Sequence, residues 1–306
     1  MANSPGSEME LPEDVLTETE SLGSAWASDL DGSDGDTSPC RDARALPQPK
    51  VPVHFMEVFS NPRIAPYVSG LGMRVGPSID LGTGWNLALR SCQNHLLQLL
   101  AVLQPFVLML SPPCTVFSQV QNSMKNRRKC QRTWKKHYEQ GLLLWRFALC
   151  LFKEQCRQGR KAVLEHPWLA SSWALSITEE VANTPGVFQT IFDQCLLGLV
   201  TTAEQKPVRK RTRFLSNLQT LEICFSTRCT PETCSHLPVE HAWLQGREGG
   251  ASRCRSAQVY PADFCRGMAR SVLNYTNNVA APALPEAQVA PADDADSEAD
   301  LPSPAS

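Results

Sequence analysis

Phe106-Val-Leu-Met-Leu-Ser-Pro-Pro-Cys-Thr-Val-Phe-Ser118 is the stretch that decides how the rest of the chain reads. An unbroken apolar run ends in a double proline, and a cysteine follows. Continuous apolar runs mark strands buried on both faces of a parallel sheet, and proline cannot extend a central ladder. Open α/β sheets place their ligands outside the carboxyl ends of such strands. The side chain after the prolines is therefore presented where chemistry takes place, and Cys114 is a candidate nucleophile. A second short strand, Lys161-Ala-Val-Leu-Glu-His-Pro167, stops in the same manner and leaves Glu165 just before its end. Two strand ends thus offer a thiol and a carboxylate to one cleft.

Working outward, residues 53–59 read as a strand and Ala65 to Leu71 as a short helix closed by Gly72. Arg74 to Ile79 reads as a second strand ending at Asp80, followed by the turn Gly82-Thr83-Gly84. Leu89 to Leu103 carries apolar residues at helical spacing and is stopped by Pro105 ahead of strand 106–110. The order is β-α-β-α-β, the unit of a doubly wound parallel sheet. Downstream, His137 to Gln158 is an amphipathic helix, Ser171 to Ala182 reads as helical, and Val187 to Val200 and Arg211 to Leu215 read as strands, partly antiparallel. A final helical segment opens at Ala257-Gln-Val-Tyr-Pro261. The fold class expected is α/β and Rossmann-like: a mostly parallel sheet with helices on both faces.

Charge divides the chain in three. Residues 1–50 hold eleven Asp or Glu against three Lys or Arg, and residues 277–306 hold six acids and no base. Both lack apolar periodicity and read as disordered acidic tails. The segment 51–276 holds twenty-six Lys or Arg against fourteen Asp or Glu, a formal charge of +12 that the near-neutral total conceals. A basic domain suits a polyanion, and Lys125, Arg127, Arg128 and Lys129 form its densest cluster, a candidate nucleic-acid contact. No apolar run is long enough to span a membrane. Twelve scattered cysteines without an apolar leader read as reduced thiols of an intracellular protein.

The ordered elements carry a resemblance. Pro113-Cys114 with Phe117-Ser118 resembles the Pro-Cys-Gln-x-Phe-Ser nucleophile motif of the DNA cytosine carbon-5 methyltransferases, and Glu165-His166-Pro167 resembles their Glu-Asn-Val motif. Val53-His-Phe-Met-Glu-Val-Phe59 resembles their first strand, and Lys210-Arg-Thr-Arg-Phe214 is similar to their Gln-x-Arg-x-Arg strand. The chain departs from the pattern at Phe59-Ser60-Asn61-Pro62-Arg63, where the family has a glycine loop, at Thr115 and at His166. Such departures also resemble methyltransferase-like segments of retroelement-type polyproteins.

The resemblance implies a methyltransferase fold with S-adenosylmethionine as cofactor and DNA as partner. It assigns catalysis to Cys114, Glu165, Arg211 and Arg213, and cofactor contacts to Glu57, Phe59, Ser60, Asn61, Asp80 and Pro113. The resemblance has the two arginines support the same face as Glu165. By residue type alone, Asp80 is a ribose partner or a turn cap, and the arginines form a solvated strand face or a nuclear-import patch. Cys229, Cys234, His236 and His241 are zinc-competent ligands within thirteen residues. Two functional readings follow, a methyltransferase and a catalytically silent nucleic-acid-binding module, with a zinc-stabilised interaction protein as a third. Neutralising Lys125, Arg127, Arg128 and Lys129 together is expected to flatten the salt dependence of nucleic-acid binding, measured by titration across salt, because fewer counterions are released.

Overall fold

The computed structural model describes residues 53–118, 131–234, 241–242, 244, 247–248 and 251–280. Lys125, Arg127, Arg128, Lys129 and His236 lie outside the described residues, as do residues 1–50 and 281–306.

Strands β1 (Phe55–Val58), β2 (Val107–Leu110) and β3 (Lys161–Pro167) pair in parallel, with β2 in the middle. Every residue of β1 and β2 is buried, as their unbroken apolar character requires. β5 (Arg211–Ser216) runs antiparallel to β3, and β4 (Phe188–Asp193) runs antiparallel to β5 at the edge. The order is β1-β2-β3-β5-β4, a mixed sheet that is mostly parallel. The expected strand 187–200 ends early, because residues 194–197 turn into a 3-10 helix capped by Gly198 at φ 81°.

The expected strand 74–79 is only partly formed. It touches β1 through the parallel bridges Phe55↔Val75 and Val58↔Ile79. Pro77 interrupts it and has no N–H to give to a ladder. Its position still matters, since it lies on the side of β1 away from β2. The chain leaves β1 in one direction and then returns to the other side, which makes the β1/β2 junction a topological switch point.

Helices cover both faces. Helix α1 (Ala65–Gly70) precedes α2 (Arg90–Leu103), and α3 (Gln131–Arg157) starts upstream of its expected first turn. A short α4 (Ser176–Ala182) and the last helix α5 (Ala262–Ala280), which runs past residue 276, complete the set. Phe55, Val107, Met109, Val163 and Phe214 form one core with Phe264, Met268 and Val272 of α5. Phe192, Phe214, Phe225 and Phe264 interlock there with ring centroids 4.8–5.9 Å apart. Each such pair adds about 0.5–1.5 kcal/mol to its area burial. On the opposite face α3 packs Trp145 against His166, centroids 4.6 Å apart.

Gly141 lies where α3 crosses the turn after Cys114. A Cβ placed on it would sit 2.3 Å from Val116 Cγ2. The β-branched Val116 has little rotamer freedom with which to yield. Gly141→Ala is therefore expected to lower stability by about 1–3 kcal/mol through overpacking, despite alanine's better helix propensity. Urea unfolding of both proteins measures it.

Candidate active site

After Leu110 the chain passes through Ser111 and two prolines, and Cys114 caps a 3-10 turn, Thr115–Phe117, whose Phe117 N–H donates to the Cys114 carbonyl at 3.1 Å. Phe117 is fully buried, so the turn is anchored from inside. One strand over, Glu165 is buried to 6% exposure. Tyr260, from the segment entering α5, lies 3.0 Å from Glu165 Oε2 and 2.9 Å from Ser111 Oγ. Its hydroxyl donates to the carboxylate, and the serine can donate to it in return. Burial and the Glu165 charge push the Tyr260 phenol well above its usual range, so it stays a donor. Glu165 Oε1 is buried with no hydrogen-bond partner among the described residues. A carboxylate oxygen left bare costs about 1–3 kcal/mol, a cost that a ligand donor removes.

The Cys114 thiol is pushed up by burial and then by the Glu165 charge, while Lys210 pulls it down. At rest it is a thiol rather than a thiolate. Lys210 Nζ donates to the Ala257 carbonyl at 3.1 Å and lies 5.7 Å from the Tyr260 ring centroid, so the local cation is held by the same segment as the tyrosine.

His166 stands where the resemblance has asparagine. It faces the other side of the sheet, fully buried among Trp145, Phe117 and Trp173, with Nδ1 2.7 Å from Ser172 Oγ. The carbonyls of Pro113 and Pro112 favour its charged form, yet burial dominates and lowers its pKa to about 3. It is a neutral imidazole held by Ser172, and its Nε2 has no hydrogen-bond partner among the described residues.

Arg211 and Arg213 do not join Glu165. Glu165 pairs with Phe214 and His166 with Arg213, so both arginines point to the His166 face. Arg211 forms a two-pronged pair with buried Asp193, at 3.0 and 2.9 Å. Arg213 stacks on Trp168 and Trp173, its guanidinium carbon 4.7 and 5.0 Å from the ring centroids. The expectation that they share the face of Glu165 is corrected by the period-2 alternation of β5.

At the switch point lies a cavity of about 310 Å³. Its walls include Phe59, Asp80, Trp85, Leu87, Pro113 and Val116. Phe59 takes φ 62°, a left-handed conformation costing a β-carbon-bearing residue about 1–3 kcal/mol. Asp80 caps the 3-10 turn Leu81–Thr83, its Oδ1 accepting from the Gly82 N–H at 2.8 Å, and also lines the cavity. Asn61 abuts the Gly82 backbone, where an added Cβ would stand 2.6 Å from its Oδ1. Ser60 is buried and donates to the Asn61 carbonyl. Glu57 sits beneath the cleft rather than in it. It is fully buried and accepts from the N–H groups of Arg63, Ile64 and Ala65 and from Ser78.

Sequence reading missed Tyr260, Lys210 and Trp85 as site residues. Tyr260 and Lys210 were each inside a quoted stretch, but contacts spanning 149 and 47 positions leave no local pattern. Of the expected metal ligands, Cys229, Cys234 and His241 come together, and among the described residues Cys195, just past the end of β4, joins them; His236 lies outside the described residues. Ligand atoms of these four lie within 4.8 Å of one another and could hold a metal ion such as zinc. Cys254 is engaged elsewhere, its thiol 2.9 Å from the Leu244 carbonyl. No helix among the described residues is long and apolar enough to cross a membrane. No protein-family model matches this chain, and no curated protein matches it.

The buried His166 predicts an acid-sensitive fold. Its pKa is about 3 folded and near 6.5 unfolded, so below pH 6.5 the unfolded chain binds the proton first. Above pH 6.5 neither state binds it and the contribution is constant. Stability is expected to fall by up to about 1.4 kcal/mol per pH unit as pH drops from 6.5 towards 3. His166→Gln is expected to flatten that limb in urea unfolding followed across pH.

Proposed function

We propose that this chain uses S-adenosylmethionine to methylate carbon 5 of cytosine in DNA through a covalent Cys114 adduct, or descends from an enzyme that did. The observation that carries this reading is the placement of a cysteine and a carboxylate with one bare oxygen at adjacent parallel strand ends, beside a cavity at the switch point. The cavity fits the cofactor's class: its volume lies at the low end of the ~300–1,000 Å³ typical of small-molecule sites. Trp85 and Leu87 offer apolar walls, and Asp80 offers a carboxylate of the kind that accepts from ribose hydroxyls. Of the cofactors expected from the sequence, S-adenosylmethionine belongs to this cleft and the metal to the separate Cys3His group.

A cytosine must leave the duplex stack to reach a cleft of this depth. Glu165 Oε1 accepts a hydrogen bond from its exocyclic amine, while Tyr260 holds Oε2 and so fixes the carboxylate plane. Lys210 stabilises the thiolate of Cys114 as the thiol proton departs to solvent. The sulfur bonds to carbon 6, and the ring's double-bond pair moves to carbon 5, which becomes nucleophilic. S-adenosylmethionine held by Asp80 and Trp85 would supply the methyl group to carbon 5. Loss of the carbon-5 proton to solvent then restores the ring double bond and expels Cys114 as the thiolate.

One observation favours the silent nucleic-acid-binding module instead. The thiol is held protonated by burial, and Pro62 and Arg63 replace the glycine loop, with Arg63 Nη1 tied to the Gln258 carbonyl at 2.7 Å. Calorimetric titration with S-adenosylmethionine separates the readings: the enzyme binds it, and a silent module that has lost the site does not.

Methyl transfer to cytosine-containing DNA is expected from the wild type, with loss of at least ~10³-fold in Cys114→Ser, whose hydroxyl is far less nucleophilic. DNA carrying 5-fluorocytosine is expected to trap the wild type as a denaturant-resistant adduct. Methyl transfer retained by Cys114→Ser overturns the assignment of the nucleophile. No transfer and no adduct from either protein favours the silent module.

A further inference from the structure

We infer that Cys195, Cys229, Cys234 and His241 form a closed structural zinc site, and that the ion fastens the segment carrying Cys229 and Cys234 to the end of β4. This inference stands independently of methyl transfer.

Distances argue first. Zinc holds thiolate sulfur at ~2.3 Å and imidazole nitrogen at ~2.0–2.1 Å, so two such ligands on a tetrahedral ion lie about 3.5–3.6 Å apart. His241 Nε2 lies 3.5 Å from Cys229 Sγ and 3.7 Å from Cys234 Sγ. The widest spacing within the four, 4.8 Å, needs to close by about 1 Å to meet a tetrahedral sulfur edge. Three thiols and one imidazole form a soft set that selects zinc over magnesium or calcium. All three cysteines are buried, so no open position is left for a substrate.

The surroundings argue second. Among the described residues, Cys229 and Cys234 form a small apolar cluster with Cys195 and the partly buried Leu196. The stretch Ser226-Thr-Arg-Cys-Thr-Pro-Glu-Thr-Cys234 contains no large apolar side chain. A core of that size buries too little area to order a loop against its chain entropy. The backbone is nevertheless well placed. The Cys229 N–H donates to Asp193 Oδ2 at 2.9 Å, and Asp193 is itself held by Arg211. The Cys234 N–H donates to the Thr230 carbonyl at 2.9 Å, closing a turn that brings the second thiol beside the first. On the far side, Ala242 next to His241 bonds to the Pro207 carbonyl at 2.8 Å. Hydrogen-bonded supports of this kind orient metal ligands. Zinc binding releases the thiol protons to solvent and needs no oxidant or reductant.

The test is elemental analysis of the full-length protein, prepared with zinc and then dialysed. One zinc per chain is expected, with a loss of about tenfold or more in Cys195→Ser and in His241→Ala and full retention in His236→Ala. Wild type without stoichiometric zinc overturns the site. Zinc lost from His236→Ala but kept by Cys195→Ser overturns this ligand set in favour of the contiguous one. If the cysteine variant fails to fold, cobalt(II)-loaded wild type is read instead. Intense thiolate-to-cobalt bands of a tetrahedral site support the inference, and their absence sinks it. Chelation is also expected to open Arg228 to trypsin, and unchanged cleavage there refutes the fastening role.

Discussion

Everything at the candidate active site depends on β2 pairing in parallel with β1 on one side and β3 on the other. Parallel pairing sends the three carboxyl ends the same way, and the register Leu110 to Leu164 sets their stopping points side by side. The proline turn then lifts Cys114 above the sheet while β3 delivers Glu165 one strand away. Antiparallel pairing of β2 with β3 would place one of these groups at the opposite edge, and antiparallel pairing of β1 with β2 would take Phe59 and the cavity it lines away from both. The ladder is built by fully buried side chains and is therefore insulated from solvent.

Three polar groups buried at this edge divide the work. Glu165 is held by Tyr260 through one oxygen, His166 is held by Ser172 on the opposite face, and Glu57 caps the start of α1. Glu165 and His166 are chain neighbours yet serve opposite faces, because alternation along a strand leaves no other arrangement. His166 thus stands on the face opposite Glu165 and not in the cleft. The same rule removes Arg211 and Arg213 from the cleft and commits Arg211 to Asp193, the residue that also holds the backbone of Cys229. One buried carboxylate thereby links the β5 edge to the Cys3His group.

Much of the fold was legible because its signals are local. An apolar run before two prolines, helical spacing up to Pro105, and a strand ending in Glu-His-Pro each follow from propensity and termination. The strand at 74–79 was overread, because its apolar pattern outweighed the missing donor of Pro77. Strand 187–200 is shorter than expected, because apolar residues continue past residue 193 while the backbone turns at 194–197. The contiguous set that includes His236 rests on proximity in sequence, whereas Cys195, which the fold brings beside Cys229, Cys234 and His241, lies thirty-four positions before Cys229.

The sequence by itself determined the α/β class, the carboxyl-end placement of Cys114 and Glu165 and the basic character of the central segment, all of which follow from side-chain type and short-range order. Only the tertiary structure decided that Tyr260 holds Glu165, that Lys210 lies against the Tyr260 segment, that the two arginines face away and that Cys195 stands beside Cys229, Cys234 and His241. The physical reason is the same in each case. These contacts depend on which residues of distant segments fall in register across the sheet, and register is fixed by the packing of whole faces rather than by any local pattern.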